Sequence, residues 1–116
     1  VMIFPPYEIL EQTDEHLVVT LKLEPDMPCF AGHFDNLPVL AGVVQVGWAL
    51  DLAQKHFNKT LQFRGFRSVK FQQLVRPPVQ LTLTLDWLAD RQLLKFSYHN
   101  QRGRCSTGGI GVAEGG

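Results

Sequence analysis

The chain lacks a surplus of charge of either sign. Its eleven basic and eleven acidic side chains cancel, so no global field draws it to nucleic acid or to a membrane surface, and any anionic partner needs a local patch. Cysteine is equally scarce. Cys29 and Cys105 stand far apart, without the spacing of a metal or redox motif, and read as reduced thiols of a cytoplasmic protein, although a disulfide stays open. No stretch approaches the ~18 consecutive apolar residues of a membrane-spanning helix, and no secretory leader is visible. His16, His56 and His99 have no ligand-like spacing to one another, so no metal is expected. His56, close to the expected end of a helix, is read as a partner of the helix dipole.

What is present centres on residues 29–57, which hold the one long helical pattern. Val43, Val46, Leu50, Ala53 and Phe57 recur at three- and four-residue steps, and Val44, Trp48 and Leu52 widen the stripe until most of the circumference is apolar. A helix so apolar has to be covered nearly all round, most simply by a sheet curled over it. At 116 residues the chain fits a single domain, 1–116, but is short for burying such a helix alone. Self-association, as a homodimer or a higher homo-oligomer, is therefore expected.

The remainder reads as strands. Tyr7 to Gln12 is a short one. Leu17 to Leu23 alternates, with Leu17, Val19, Leu21 and Leu23 on one face. After the helix, Leu61 to Val75 reads as a long strand that loses phase near Gly65, a sign of a bulge, before Arg76-Pro77-Pro78 stops it. Val79 to Trp87 alternates most regularly, with Leu81, Leu83, Leu85 and Trp87 inward; Ala89 to Gln92 turns the chain into the alternating Leu94, Phe96 and Tyr98, and a last strand follows from about Arg104 to Val112. Two strands, a lone helix and four more strands predict an α+β fold, an antiparallel sheet wrapped around one long central helix.

Candidate chemistry lies at the start of the helix. Gly32 and Phe34 set His33 between a flexible backbone and an apolar wall, which predicts a partly buried cleft. Gly42, nine residues on, falls where the helix begins and offers an unobstructed backbone N–H. Such a terminus polarises a carbonyl bound against it, and a neutral imidazole beside that carbonyl is placed to remove an acidified α-proton. Gly32-His33-Phe34, then Pro38-Val39-Leu40, then Gly42-Val43 entering an apolar helix, resembles the signature of the 3-hydroxyacyl-[acyl carrier protein] dehydratases of the hot-dog fold. The later Arg67 to Phe71, with Val75-Arg76-Pro77 and the strand from Val79, is similar to the same family. The resemblance implies a hot-dog homodimer with its sites at the interface, and no bound cofactor. It implies His33 as general base, the Gly42 N–H holding a thioester carbonyl, the Val39 carbonyl orienting the imidazole, and Val43 and Gly47 lining the acyl site. Substrates would be acyl chains of fatty-acid or related biosynthesis, carried on acyl carrier protein or coenzyme A.

The chain departs from that family at two positions. Gly47, fourteen residues after His33, stands where the partner's helix would supply Asp or Glu, and Ala41 stands where proline is usual. The first matters more, because hydroxide is a poor leaving group and glycine cannot protonate it. Asp51, one helical turn on, is the nearest carboxylate on that stripe; it is either a displaced acid or a surface group, paired with Lys55 or solvated. Three activities remain open: a dehydratase of reduced activity, a non-catalytic acyl-thioester-binding relative, and a hot-dog thioesterase with Asp51 as base. Two further motifs lead elsewhere. Arg64 to Phe71 partly fits an RNA-recognition pattern but lacks its stacking aromatic, and one helix is too few for that fold. Gly108-Gly109-Ile110-Gly111 suggests a phosphate loop, yet no helix follows, and close packing is the simpler reading.

Overall fold

A computed structural model describes residues 5–27, 30 and 39–114. Strands β1 (Tyr7–Gln12) and β2 (His16–Leu23) precede helix α1 (Gly42–His56), and β3 (Leu61–Phe71), β4 (Val79–Leu88), β5 (Leu93–Asn100) and β6 (Gly103–Glu114) follow it. They form one antiparallel sheet in the order β1-β2-β4-β5-β6-β3. β1 and β3 are thus its edges. The α+β architecture expected from the strand pattern is the one observed. No helix is long and apolar enough to cross a membrane among the described residues.

Alternation decides which face of the sheet meets the helix. Leu17, Val19, Leu21, Leu81, Leu83, Leu85, Leu94 and Tyr98 have no exposed surface and share one core with Trp48, Ala49, Leu52 and Ala53 of α1. Each buried leucine contributes about 1.5–3 kcal/mol relative to exposure, so register is strongly fixed on this face.

Two expectations need correction. The helix does not bury the stripe through Val43, Val46 and Leu50. Its buried residues are Gln45, Trp48, Ala49, Leu52 and Ala53, whereas Val43 is 73% exposed and Val46 and Leu50 are half-buried. Trp48 and Leu52 are the bulkier anchors, and one sheet covers one side only. β3 also ends at Phe71, not Val75. Its register slips between Phe63 and Gly65, as the loss of phase indicated, and again between Arg67 and Lys70, where Ser68 takes a left-handed φ of 53°. Beyond Phe71 the backbone N–H groups of Gln72 and Gln73 both turn to the Cys105 carbonyl, and Val75 returns to the core.

Candidate active site

Of the residues expected to act, His33 lies outside the described residues, as does Cys29. Val39, Gly42, Val43, Gly47 and Asp51 are described, and α1 brings the last four together. Val43, Gly47 and Asp51 lie on the side of the helix that the sheet covers least, with Val43 exposed and the other two half-buried, and Gly42, also half-buried, stands at its start beside the end of β3. The expected Asp51–Lys55 ion pair is not formed. Among the described residues, the ion pairs are His16 with Glu11 and with Asp86, and Lys59 with Glu114.

The helix begins without a side-chain cap and without an acidic residue in its first turn. Ala41 sits at the cap position in an extended conformation, and its carbonyl accepts from Val44 N–H and Gln45 N–H at 3.1 Å each. Gly42 and Val43 have no such carbonyl to reach, which leaves two first-turn amides directed out of the helix with the positive end of its dipole. A carboxylate in this turn would compete with a bound carbonyl for those donors.

Glycine at 42 lets an aromatic ring come close, a contact the sequence does not show. A Cβ there would lie 2.6 Å from Cζ of Phe71 and 2.9 Å from its Cε1, so the Phe71 ring lies against the helix start. The ring is still half open to solvent, at 53%. It forms an apolar wall beside the Gly42 amide, and its only trace in the sequence is an apolar residue just ahead of the proline-stopped turn.

Beneath this surface lies a polar network that periodicity also missed. Gln45 is 3% exposed; its Nε2–H donates to the Leu40 carbonyl at 3.1 Å, and its Oε1 accepts from the Ser106 hydroxyl at 2.7 Å. Tyr98 O–H donates to the Gln45 carbonyl at 2.6 Å, and burial pushes that phenol far above its ordinary range, so it stays a neutral donor. Leu40 N–H in turn donates to the Val75 carbonyl at 2.8 Å. Leu40, which leads into the helix, is therefore held from two sides, by Gln45 of α1 and by the segment after β3, and Ser106 of β6 fixes Gln45 in turn. The outcome is a rigid frame around two free amides and an apolar wall, suited to hold and polarise a carbonyl.

His56 lies in the last turn of α1, where it was expected, and gains a partner there. Its Nε2 lies 2.8 Å from Tyr7 Oη, and burial, with Lys55 adjacent, lowers its proton affinity. Ser106, without a base in view, belongs to the Gln45 network.

Comparison with known proteins bears on the family and the fold. The family model for ApeI-like dehydratases, described as ApeI dehydratase, matches residues 10–109. The 3-hydroxyacyl-[acyl-carrier-protein] dehydratase FabZ of Streptococcus pyogenes is 31% identical over 90 residues, which is 72% of this chain; the match spans 65% of that relative's length. Among solved structures, the dehydratase heterocomplex ApeI:P from Xenorhabdus doucetiae superposes with a TM-score of 0.89 at 28% identity, covering 96% of this chain and 99% of that one. A hypothetical thioesterase of Streptococcus pneumoniae, solved with coenzyme A, superposes with a TM-score of 0.75 over 97% of this chain and 88% of that one; at 16% identity it shares the fold alone. One helix wrapped by a six-stranded antiparallel sheet, matched over 100 consecutive residues, is the hot-dog fold of a dehydratase-like family, and the chain belongs to the ApeI-like dehydratases.

Proposed function

We propose that the chain is a 3-hydroxyacyl-thioester dehydratase of reduced activity, acting as a cytoplasmic hot-dog homodimer on acyl chains carried by acyl carrier protein or coenzyme A. The observation that carries this reading is the uncapped, carboxylate-free start of α1, where the Gly42 amide lies beside the Phe71 ring. There the thioester carbonyl accepts from Gly42 N–H, which acidifies the α-proton. His33, oriented by the Val39 carbonyl, removes that proton from C2. The C3–O bond then breaks, the electron pair left at C2 forms the double bond, and the hydroxyl leaves as water once it gains a proton. Val43 and Gly47 line the acyl chain.

The missing proton donor sets the rate. With Gly47 in both copies of a homodimer, neither site has the usual acid, and Asp51 is one turn removed. Gly47→Glu should raise enoyl-thioester formation by about 10²–10⁴-fold, the span attributed to general acid catalysis. The assay follows absorbance of the conjugated enoyl thioester in parallel with free thiol. Native turnover that survives Asp51→Asn but is lost in His33→Ala would place the acid elsewhere. Thiol release without enoyl product, abolished by Asp51→Asn, would establish the thioesterase reading instead.

A second reading follows from the relative crystallised as a heterocomplex. A non-identical, acid-bearing hot-dog partner would fill the vacancy that a second copy of this chain cannot. Co-purification with such a partner, and turnover that requires it, is the corresponding outcome.

A further inference from the structure

The face of the sheet turned away from α1 carries a groove of about 490 Å³ that the proposed chemistry does not use. Arg67, Arg91, Lys95 and Arg104 line it with the hydroxyl residues Ser68, Ser97 and Thr107, and no carboxylate is among the lining residues. In a chain of zero net charge this is a segregation of cations, the local patch that the overall composition left possible.

Register explains how the cations converge. Lys95 of β5 pairs with Gly109 of β6, which pairs in turn with Arg67 of β3, so two cations flank a residue with no side chain. Neighbouring strands are about 4.8 Å apart, so the two backbones are about 10 Å apart; from there the Arg67 side chain runs along the sheet toward Gly111, and Leu93 packs over Gly109. In the next outward row, Thr107 stands opposite Ser97. The glycines of β6 supply the floor. A Cβ on Gly111 would meet the Arg67 guanidinium at 3.1–3.4 Å, and one on Gly109 would come within 2.7 Å of Leu93. The Gly108-Gly109-Ile110-Gly111 run is therefore what lets Arg67 lie across the sheet.

The cations are also free to act. Asp86 faces Lys95 from β4, but its carboxylate lies 2.6 Å from His16 Nδ1; Asp90 adjoins Arg91 in the β4–β5 turn. None of the four groove cations has an ion-pair partner among the described residues. Arg67 spends one N–H on the Phe66 carbonyl and keeps the rest of its fork.

We infer that this groove is a binding site for a small oligophosphate-bearing molecule, held by the cations that line it, Arg67, Arg91, Lys95 and Arg104, with Thr107 as a further donor. Acidic proteins would need a broader contact than a floor about three strands wide, so a compact, highly charged anion fits better. The inference is independent of the dehydratase reading, because it concerns the opposite face of the sheet and its test reads binding alone.

The test is an amide NMR titration of the intact chain with sodium tripolyphosphate, against sodium sulfate at matched ionic strength. Saturable shifts clustered at Arg67, Lys95, Thr107 and Gly109 are expected, weakened about tenfold or more in the Arg67→Gln/Lys95→Gln double variant. Should that variant lose its native spectrum, Thr107→Val removes a hydroxyl without removing charge and should still weaken binding several-fold. Titrating coenzyme A against pantetheine identifies the source: shifts with coenzyme A alone assign the groove to phosphates carried by a thioester, and shifts with neither assign it to a free metabolite. Shifts that do not saturate, that sulfate reproduces, or that persist unchanged in both variants overturn the inference. So does a polyglutamate peptide that saturates the groove while tripolyphosphate does not, since the face would then serve an acidic protein.

Discussion

At the scale of single residues, the site depends on one close approach and one buried amide. Adding a methyl group at position 42 pushes against the Phe71 ring at 2.6 Å. Gly42→Ala should destabilise the fold by about 1 kcal/mol, the low end of the usual cost of overpacking because a half-exposed ring can give way, and should depress activity as the displaced ring leaves the amide. Phe71→Ala opens the space, so the double variant should regain much of the stability that Gly42→Ala loses. Urea denaturation of the four species gives the coupling, and additive losses would show that the ring does not constrain the glycine. Gln45 makes the second case. Gln45→Leu leaves the Ser106 hydroxyl and the Leu40 carbonyl buried without their partner, at about 1–3 kcal/mol for each unpaired group. Adding Ser106→Ala should then cost little more, because the hydroxyl it removes has already lost its acceptor. Neither residue announced itself in the sequence. Gln45 is one of the few polar positions of an apolar helix, and periodicity registers its polarity but not a partner sixty residues away. Phe71 looked like an ordinary apolar strand residue.

At the scale of elements, legibility followed how many faces a strand buries. β2, β4 and β5 have one face against the core and one toward solvent, so their alternation gave their positions and inward residues directly. β3 is an edge whose hydrophobics stay half open, with two register slips, so pattern located its first irregularity at Gly65 and missed the one at Ser68. β1, the opposite edge, is nearly all exposed and is held by side chains. Its Tyr7 bonds His56 at the end of α1, and its Glu11 lies 3.4 Å from His16 Nε2, whose Nδ1 is 2.6 Å from Asp86. Only the doubly protonated ring of His16 can donate to both carboxylates. The hydrogen bond that His16 donates to Asp86, offset in part by desolvation and assisted by Glu11, raises the His16 proton affinity above its ordinary value of 6.5. Folding favours the charged ring, so this stabilisation is complete below pH 6.5 and is lost as pH rises through the raised value. His56 has the opposite sign. Burial lowers its affinity, so its contribution is present above pH 6.5 and is lost as pH falls through the lowered value. His16→Asn should therefore destabilise at pH 5.5 and become neutral near pH 9, by about 1 kcal/mol at most for groups this exposed. His56→Asn should cost more at the alkaline end. Thermal melts across that range check both, and a His16 effect that grows with pH would contradict the assigned charge state.

At the scale of the whole molecule, the question is what covers the surfaces this chain leaves apolar. One sheet hides one side of α1, and Val43 remains 73% exposed. Phe63 and Phe66 on β3 are 49% and 56% exposed, along an edge whose backbone donors and acceptors have no further strand to meet. The free helix face and the free edge carry the apolar surface that a second hot-dog chain would cover, which the length of the chain against the hydrophobicity of its helix had already suggested. β1 is an edge too, with Ile9 and Leu10 at 43% and 56% exposure, so exposure alone does not choose between the two. β3 is favoured because it is nearly twice as long, eleven residues against six, and because its end at Phe71 lies beside Gly42, so a partner docked there would complete the proposed acyl site. Light scattering after size exclusion should give at least twice the 13.1 kDa chain mass at micromolar concentration. Phe66→Lys and Val43→Lys should each shift the protein toward monomer and lower turnover together, whereas Ile9→Lys should change neither. A dimer lost in Ile9→Lys and intact in Phe66→Lys would transfer the interface to β1. The Gly42 site would then face solvent, and Gly47→Glu would have no partner helix on which to act.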